Sequence, residues 1–182
     1  GGDGGDGNAS ASEVALAARW THEFSHVVVN SESSFVEQAT PVAHLVFDMS
    51  ASVAGLSFLD VDLDASEYGG VAYWGPPPDP SRVVLYRAFF AVSPAATSRS
   101  QIGQDAPEAN ATRYTAEVFE DTVRGLHTHF VVYTASQLCE QTTPVAVPLL
   151  DNEASVSGAE FPDYDLDLAE LGGVLAWDAP SD

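Results

Sequence analysis

A stretch of 54 residues recurs in this chain after a shift of about 103 positions, and this repeat constrains the fold more than any other feature. Residues 26–79 align with residues 129–182 without a gap, and about half of the aligned positions are identical. A period of this length corresponds to a whole domain rather than to a small solenoid unit. We therefore expect domain-sized repeats in tandem.

The period predicts three segments. Residues 1–50 are expected to be the C-terminal part of a preceding repeat, residues 51–152 a complete repeat, and residues 153–182 the N-terminal strands of the following one. This division also predicts that the chain is an interior piece of a longer array.

The apolar pattern within one period favours β-structure. Runs such as GGVAYW, RVVLYRAFFAV, HFVVYTA and TPVAVPLL are rich in β-branched and aromatic residues, and Gly, Pro, Asp and Ser separate them. Short strands at a spacing of roughly ten residues are typical of a β-sandwich. Helical periodicity is weak and is confined to residues 10–20. The pattern predicts an all-β chain.

These runs resemble a fibronectin type III-like module of the immunoglobulin-like class. The resemblance lies in SVAGLSF, VAYWGPP, YRAFFA and HFVVYTA, which cover one copy in full and the adjoining parts of the two others. Trp74 and Tyr86 match the core Trp and the facing Tyr of the family, and Trp177 matches in the following copy. The resemblance implies tandem fibronectin III/Ig-like β-sandwich repeats of about 103 residues in an extracellular structural protein. The acidic insertion between the first two strands departs from the family's short loop.

An acidic phrase occurs once in each copy, as DVDLDASEYGG at residues 60–70 and as DYDLDLAELGG at residues 163–173. In a strand its alternating carboxylates would share one face, with the apolar residues on the other. This arrangement allows two interpretations, a solvated strand edge or a Ca²⁺ site that stiffens the array, and both stay open. The candidate ligands are Asp60, Asp62, Asp64, Glu67, Asp163, Asp165, Asp167 and Glu170.

Two sequons without proline, NAS at Asn8 and NAT at Asn110, lie at nearly matching positions of the repeat. They predict glycosylation of an exposed loop in a secreted protein. The only cysteine, Cys139, aligns with Val36, so we expect it to be a small apolar core residue rather than a nucleophile.

The charge limits the classes of partner. There are 27 acidic and 6 basic residues, so the net charge is −21. Such a surface repels phosphate backbones and anionic lipid, which argues against nucleic acid and membranes as partners. No run of about eighteen apolar residues is present, so no membrane insertion is expected. The same acidity fits both an algal surface protein and a protein of a high-salt habitat.

Three functional hypotheses follow. The first is a non-enzymatic structural repeat of an extracellular or cell-surface filament, whose partners are copies of itself, neighbouring repeats or glycans. The alternative is an adhesin or carbohydrate-binding β-sandwich module, which would display clustered exposed aromatic side chains. An enzyme is the least favoured, because no nucleophile elbow, phosphate loop or paired-acid motif occurs in the sequence.

Overall fold

A computed structural model describes residues 24–180, and every regular element among them is a strand. In chain order they are β1 His26–Val29, β2 Val42–Leu45, β3 Ala54–Phe58, β4 Glu67–Gly75, β5 Leu85–Ala91, β6 Ser100–Pro107, β7 Tyr114–Val123, β8 His129–Ala135, β9 Val145–Pro148, β10 Ser157–Glu160 and β11 Ala176–Asp178. The expected all-β class is confirmed. Within these residues no helix has the length and apolar character needed to span a membrane.

The chain divides into two compact units, Gly1–Ser50 and Ala51–Asp182. In the described part of the first unit, β1 and β2 form an antiparallel hairpin in which His26 lies opposite Leu45 and Val29 opposite Val42. Both strands are exposed to solvent along their whole length. This hairpin therefore has apolar side chains without a core of its own.

The second unit contains two antiparallel sheets that share one core. The first has the strand order β3-β4-β7 and the second β6-β5-β8-β9. Trp74 of β4 packs edge-on against Tyr86 of β5, and Tyr68 packs in the same way against Phe90. Since these pairs join one sheet to the other, residues 51–150 have the two-layer arrangement of a β-sandwich.

Strand β8 is buried on both faces. Phe130 and Val132 point into the shared core, while Val131 and Tyr133 belong to a smaller apolar cluster with Phe89. The Arg99 guanidinium covers that smaller cluster, with its carbon 4.4 Å from the Phe89 ring centre and 4.5 Å from the Tyr133 ring centre. This double burial explains why the sequence of β8 is a continuous apolar run without alternation.

Two short strand pairs reproduce the pairing of the sandwich at the repeat distance. The β1–β2 register equals the β8–β9 register after a shift of 103 positions, residue for residue. In the same way Ser157 pairs with Asp178 and Glu160 with Ala176, as Ala54 pairs with Gly75 and Ser57 with Tyr73. The repeat is therefore present in strand register as well as in sequence.

Candidate functional site

The acidic phrase of residues 60–70 begins in a loop rather than in a strand. Strand β3 ends at Phe58 and β4 begins at Glu67, and the residues between them are turns and irregular backbone. The expectation that Asp60, Asp62 and Asp64 share one face of a strand is wrong. The side chains of Asp60 and Asp62 instead accept backbone N–H groups of the loop and of neighbouring elements.

Asp60 holds this loop against the end of the sandwich. Its side chain is buried, with 3% of the residue exposed. Oδ1 accepts the N–H groups of Asp62 at 3.1 Å and Gly69 at 3.0 Å, and Oδ2 accepts the N–H of Asn152 at 3.0 Å. The carboxylate thus compensates its burial with three hydrogen bonds, and its role in this arrangement is structural.

Asp62 connects the loop to β7. Its Oδ1 accepts the N–H of Asp64 at 2.9 Å, and its Oδ2 accepts the N–H of Asp121 at 2.9 Å. Asp121 lies in a bulge, because the β4–β7 register shifts between Tyr68 and Gly70, and its φ is 59°. Asp tolerates this left-handed conformation better than most residues, and the bulge turns Asp121 toward the loop.

Four carboxylates meet beside this contact. One oxygen each from Asp62, Asp64, Glu67 and Asp121 lies within 4.8 Å of the other three. Ca²⁺ takes six to eight oxygen ligands, so four carboxylates would supply half or more of a shell that bidentate binding or water completes. The residues fit a hard cation in chemistry and in number, with Asp60 outside the group.

The four carboxylates of this group carry the same charge and lie close together, so they repel one another. The pKa of Glu67 is raised by desolvation and by the nearby charges of Asp121, Asp62 and Asp64. The pKa of Asp62 is lowered, chiefly because the N–H groups of Asp64 and Asp121 stabilise its charged form. A divalent cation at this position would relieve the repulsion on Glu67.

The two glycines that close the phrase allow its tight packing. A Cβ on Gly70 would lie 2.7 Å from the carbonyl oxygen of Leu59, and the φ of Gly70 is +142°. A Cβ on Gly69 would lie 3.3 Å from Cα of Glu120 and 3.4 Å from Asp62. Close approach of two backbones therefore accounts for the Gly-Gly pair.

The second phrase repeats this loop geometry. Asp163 accepts the N–H groups of Asp165 and Gly172, each at 3.0 Å, as Asp60 accepts those of Asp62 and Gly69. Asp165 accepts the N–H of Asp167 at 2.8 Å. Asp165, Asp167 and Glu170 form a group of three carboxylates, and Asp163 lies outside it. The loop conformation is thus specified by the phrase itself, since the two copies have different surroundings.

Sequence reasoning missed Asp121. It is separated from the phrase by more than fifty positions, and nothing in its neighbourhood resembles a ligand motif. The sequence of β7 mixes polar and apolar residues and lies outside the predicted strand-forming runs, so it offered no local signal for Asp121.

The remaining predicted residues have simple positions. Asn110 lies exposed in the turn between β6 and β7 with a φ of 52°, and Asn8 lies outside the described residues. Cys139 is exposed, so its expected place in the core is wrong. It lies in a turn after β8, where the Ser136 hydroxyl accepts its N–H at 3.3 Å.

The two short strand pairs differ from their counterparts in burial. Trp74 is 2% exposed, whereas Trp177, its equivalent in β11, is 57% exposed. Val132 is 1% exposed, whereas Val29, its equivalent in β1, is 65% exposed. β1–β2 and β10–β11 thus carry equivalents of the side chains that form the core of the sandwich. Within residues 24–180 these equivalents are exposed to solvent.

Neither a protein-family model, nor a curated protein, nor a solved structure matches the chain.

Proposed function

We propose that this chain is a non-enzymatic structural segment of an extracellular or cell-surface filament, built from fibronectin III-like β-sandwich repeats. The observation that carries the proposal is the repeat of strand register at 103 positions, in which β1–β2 and β8–β9 pair identically. Domain-sized units in tandem extend in one dimension, which suits filaments and stalks.

The sheet order supports the fibronectin III-like type. An immunoglobulin constant domain has four strands in its first sheet and three in its second. Here the first sheet has three strands, β3, β4 and β7. The second sheet has four, because β6 pairs with β5 beside β8 and β9. Trp74 and Tyr86, the residues that carry the resemblance in sequence, pack against each other with ring centres 6.2 Å apart.

Calcium is part of this proposal through the group of Asp62, Asp64, Glu67 and Asp121. Its ligands come from the β3–β4 loop and from β7, so a bound cation would tie the loop to the sheet. The exposed Asn110 is the proposed site of glycosylation, because the turn that holds it leaves the side chain open to solvent.

The adhesin or carbohydrate-binding alternative receives less support. Its expected feature is a cluster of exposed aromatic side chains on the sandwich. Between residues 51 and 150, Phe119 is the one large aromatic residue in the exposed class. A single ring does not form a stacking platform for a sugar.

Immunogold labelling tests the proposal. Antibodies raised against the full chain would be applied to intact cells of the source and to the material shed from them. The longest strand, β7, has 10 residues and so spans roughly 33 Å, which predicts an axial spacing of about 30–40 Å along labelled surface filaments. Label confined to the cell interior, or spread over the surface without filaments, would overturn the proposal.

A further inference from the structure

Hairpin β1–β2 and strand pair β10–β11 each carry the equivalent of half of a sandwich core, and no other half packs against either of them within residues 24–180. The equivalents of β1–β2 in the sandwich, β8–β9, contribute Phe130, Val132 and Val145 to the core or its margin. The equivalents of β10–β11, β3–β4, contribute Trp74 to the core and Leu56 and Phe58 to its margin. In the sandwich these two halves lie in opposite sheets and face each other.

Polar contacts fix how the two halves meet in the sandwich. Thr134 Oγ1 donates to the carbonyl of Ala51 at 2.6 Å, and Gln141 Nε2 donates to Ser52 Oγ at 2.9 Å. Asp151 Oδ2 accepts the N–H of Ser66 at 3.0 Å. These hydrogen bonds set the alignment of the two halves relative to each other.

The residues that make these contacts from the β8–β9 side are repeated in the first unit. Ser31, Gln38 and Asp48 occupy the positions of Thr134, Gln141 and Asp151. Ser31 Oγ donates to Gln38 Oε1 at 2.9 Å, as Thr134 Oγ1 donates to Gln141 Oε1 at 3.1 Å. The N–H of Gln38 binds the Ser31 carbonyl at 2.8 Å, and the N–H of Gln141 binds that of Thr134 at the same distance. Ser31 and Gln38 are therefore already arranged as Thr134 and Gln141 are in the sandwich.

The residues that make these contacts from the β3–β4 side are repeated near β10. Ala154, Ser155 and Ala169 occupy the positions of Ala51, Ser52 and Ser66. Ala169 has a φ of 71° and Ser66 a φ of 70°, so both residues have a left-handed backbone conformation. One contact is changed, because Met49 stands at the position of Asn152 and lacks its side-chain amide.

We propose that β10–β11 of one copy docks on β1–β2 of a second copy, so that the chain associates head to tail. The occupant of each apolar face is the complementary half on another copy, and the contacts are those that β3–β4 and β8–β9 make in the sandwich. This inference rests on the proposed function, since it names the surfaces through which units of the filament join. The two faces differ, so the contact is heterologous and its growth is open.

The charge of the chain makes this association dependent on salt. A net charge of −21 on each copy opposes contact at low ionic strength. Salt screens this repulsion and leaves the apolar contact in place. Association is therefore stronger at high salt, opposite to an interface held by surface ion pairs.

Sedimentation velocity of the full chain over a concentration series, at low and at high salt, tests the proposal. Trp177→Glu removes the apolar face of β11, and Val29→Glu removes that of β1. The matched controls are Val174→Glu and Val28→Glu, whose equivalents Val71 and Val131 lie outside the shared core. Circular dichroism and thermal melting verify that the sandwich stays folded in all four variants.

The parent chain and both controls are expected to form concentration-dependent oligomers, and each face variant alone is expected to stay monomeric. A mixture of the two face variants retains one intact β1–β2 and one intact β10–β11, so it is expected to stop at a dimer. Monomers of the parent at every concentration and salt, or oligomers unchanged by Trp177→Glu, overturn the inference. Labelled surface filaments together with a monomeric chain would reject the inference alone, whereas absence of such filaments rejects the proposed function.

Discussion

Asn152 and Asp60 lie 92 positions apart, and two hydrogen bonds join them. The backbone N–H of Asn152 donates to Asp60 Oδ2 at 3.0 Å, and its side-chain amide donates to the Asp60 carbonyl at 2.7 Å. This contact ties the loop after β3 to the chain that leaves β9. A residue that appeared in the sequence to be a metal ligand therefore holds together the two ends of the sandwich.

Asp60→Ala is expected to destabilise the sandwich strongly. The substitution leaves the N–H groups of Asp62, Gly69 and Asn152 without their acceptor, which predicts a loss of about 3 kcal/mol in the free energy of unfolding. Urea denaturation measures it. The matched control is Asp163→Ala in the second phrase, where the residue is exposed and a loss of about 0.5 kcal/mol or less is expected. Equal losses in the two variants would contradict the structural role of Asp60.

Gly70→Ala is expected to cost more than an ordinary Gly-to-Ala change. The new Cβ would meet the Leu59 carbonyl at 2.7 Å, and a φ of +142° disfavours any side chain. We expect a loss of about 3 kcal/mol. Gly103→Ala is the control, since its φ is +65° but nothing lies within 4 Å of its Cβ, and about 1 kcal/mol is expected there. Thermal melting of both variants decides whether close packing or φ alone demands the glycine.

Calcium is expected to raise the melting temperature of the chain. Extracellular modules bind Ca²⁺ with dissociation constants near 1 mM, so about 10 mM Ca²⁺ predicts a rise of roughly 5 °C. Asp121→Asn is expected to abolish most of the rise, because it removes one carboxylate of the group. Glu117→Gln changes an exposed carboxylate of β7 outside the group and is expected to leave the rise intact. An unchanged melting temperature in the parent would remove calcium from the proposed function.

Asp62→Asn and Glu67→Gln are expected to shift stability in opposite directions without calcium. The lowered pKa of Asp62 means that its charge stabilises the fold above its ordinary pKa, and this contribution disappears as the pH falls through the lowered value. The raised pKa of Glu67 means that its ionisation destabilises the fold at neutral pH and has no effect once the pH is below its ordinary pKa.

Urea denaturation at pH 7 and at pH 3 measures these shifts. At pH 7 Asp62→Asn is expected to be less stable than the parent and Glu67→Gln more stable. At pH 3, below the ordinary pKa of both groups, the Glu67 difference is expected to vanish, and the Asp62 difference is expected to shrink as the pH approaches its lowered pKa. A loss of stability in Glu67→Gln at pH 7 would contradict the inference that the charge of Glu67 is destabilised by its neighbours.

Asn110 is expected to carry a glycan when the chain is secreted from a eukaryotic host. The residue is exposed in a turn, and Thr112, the third residue of its sequon, is exposed as well. Mass spectrometry of the intact chain before and after deglycosylation measures occupancy. Asn110→Gln and Thr112→Ala should each abolish the glycan at this position, and an unmodified Asn110 in the parent would contradict the expectation.

Much of the fold was predictable from the residues alone. Runs rich in β-branched and aromatic residues predicted β4, β5, β8 and β9, and the resemblance to a fibronectin III-like module implied the burial of Trp74 and Tyr86. The position of Cys139 was not predictable in this way, because its alignment with Val36 assumed that Val36 is buried, and both are exposed. Aligning two copies predicts the burial of a residue only if the burial of its counterpart in the other copy is known.

The candidate site was predictable only in part. Asp62, Asp64 and Glu67 lie close together because they belong to one short loop, and the sequence shows that proximity directly. Asp60, an expected ligand, is buried as a hydrogen-bond acceptor, and Asp121, for which the sequence predicted no role, is brought into the group by the β7 bulge. Neither position is encoded by local spacing.

The sequence by itself determined the period, the strand-forming runs and the conformation of the acidic loop, which recurs in two different surroundings because its hydrogen bonds are local. Only the tertiary structure decided which carboxylates meet. Asp60 is buried because Asn152 and Gly69 contact it from separate parts of the chain. Asp121 contacts Asp62 because the pairing of β7 with β4 places the β7 bulge beside the loop. Local bonds depend on neighbours in the chain, whereas burial and charge crowding depend on how distant strands pack.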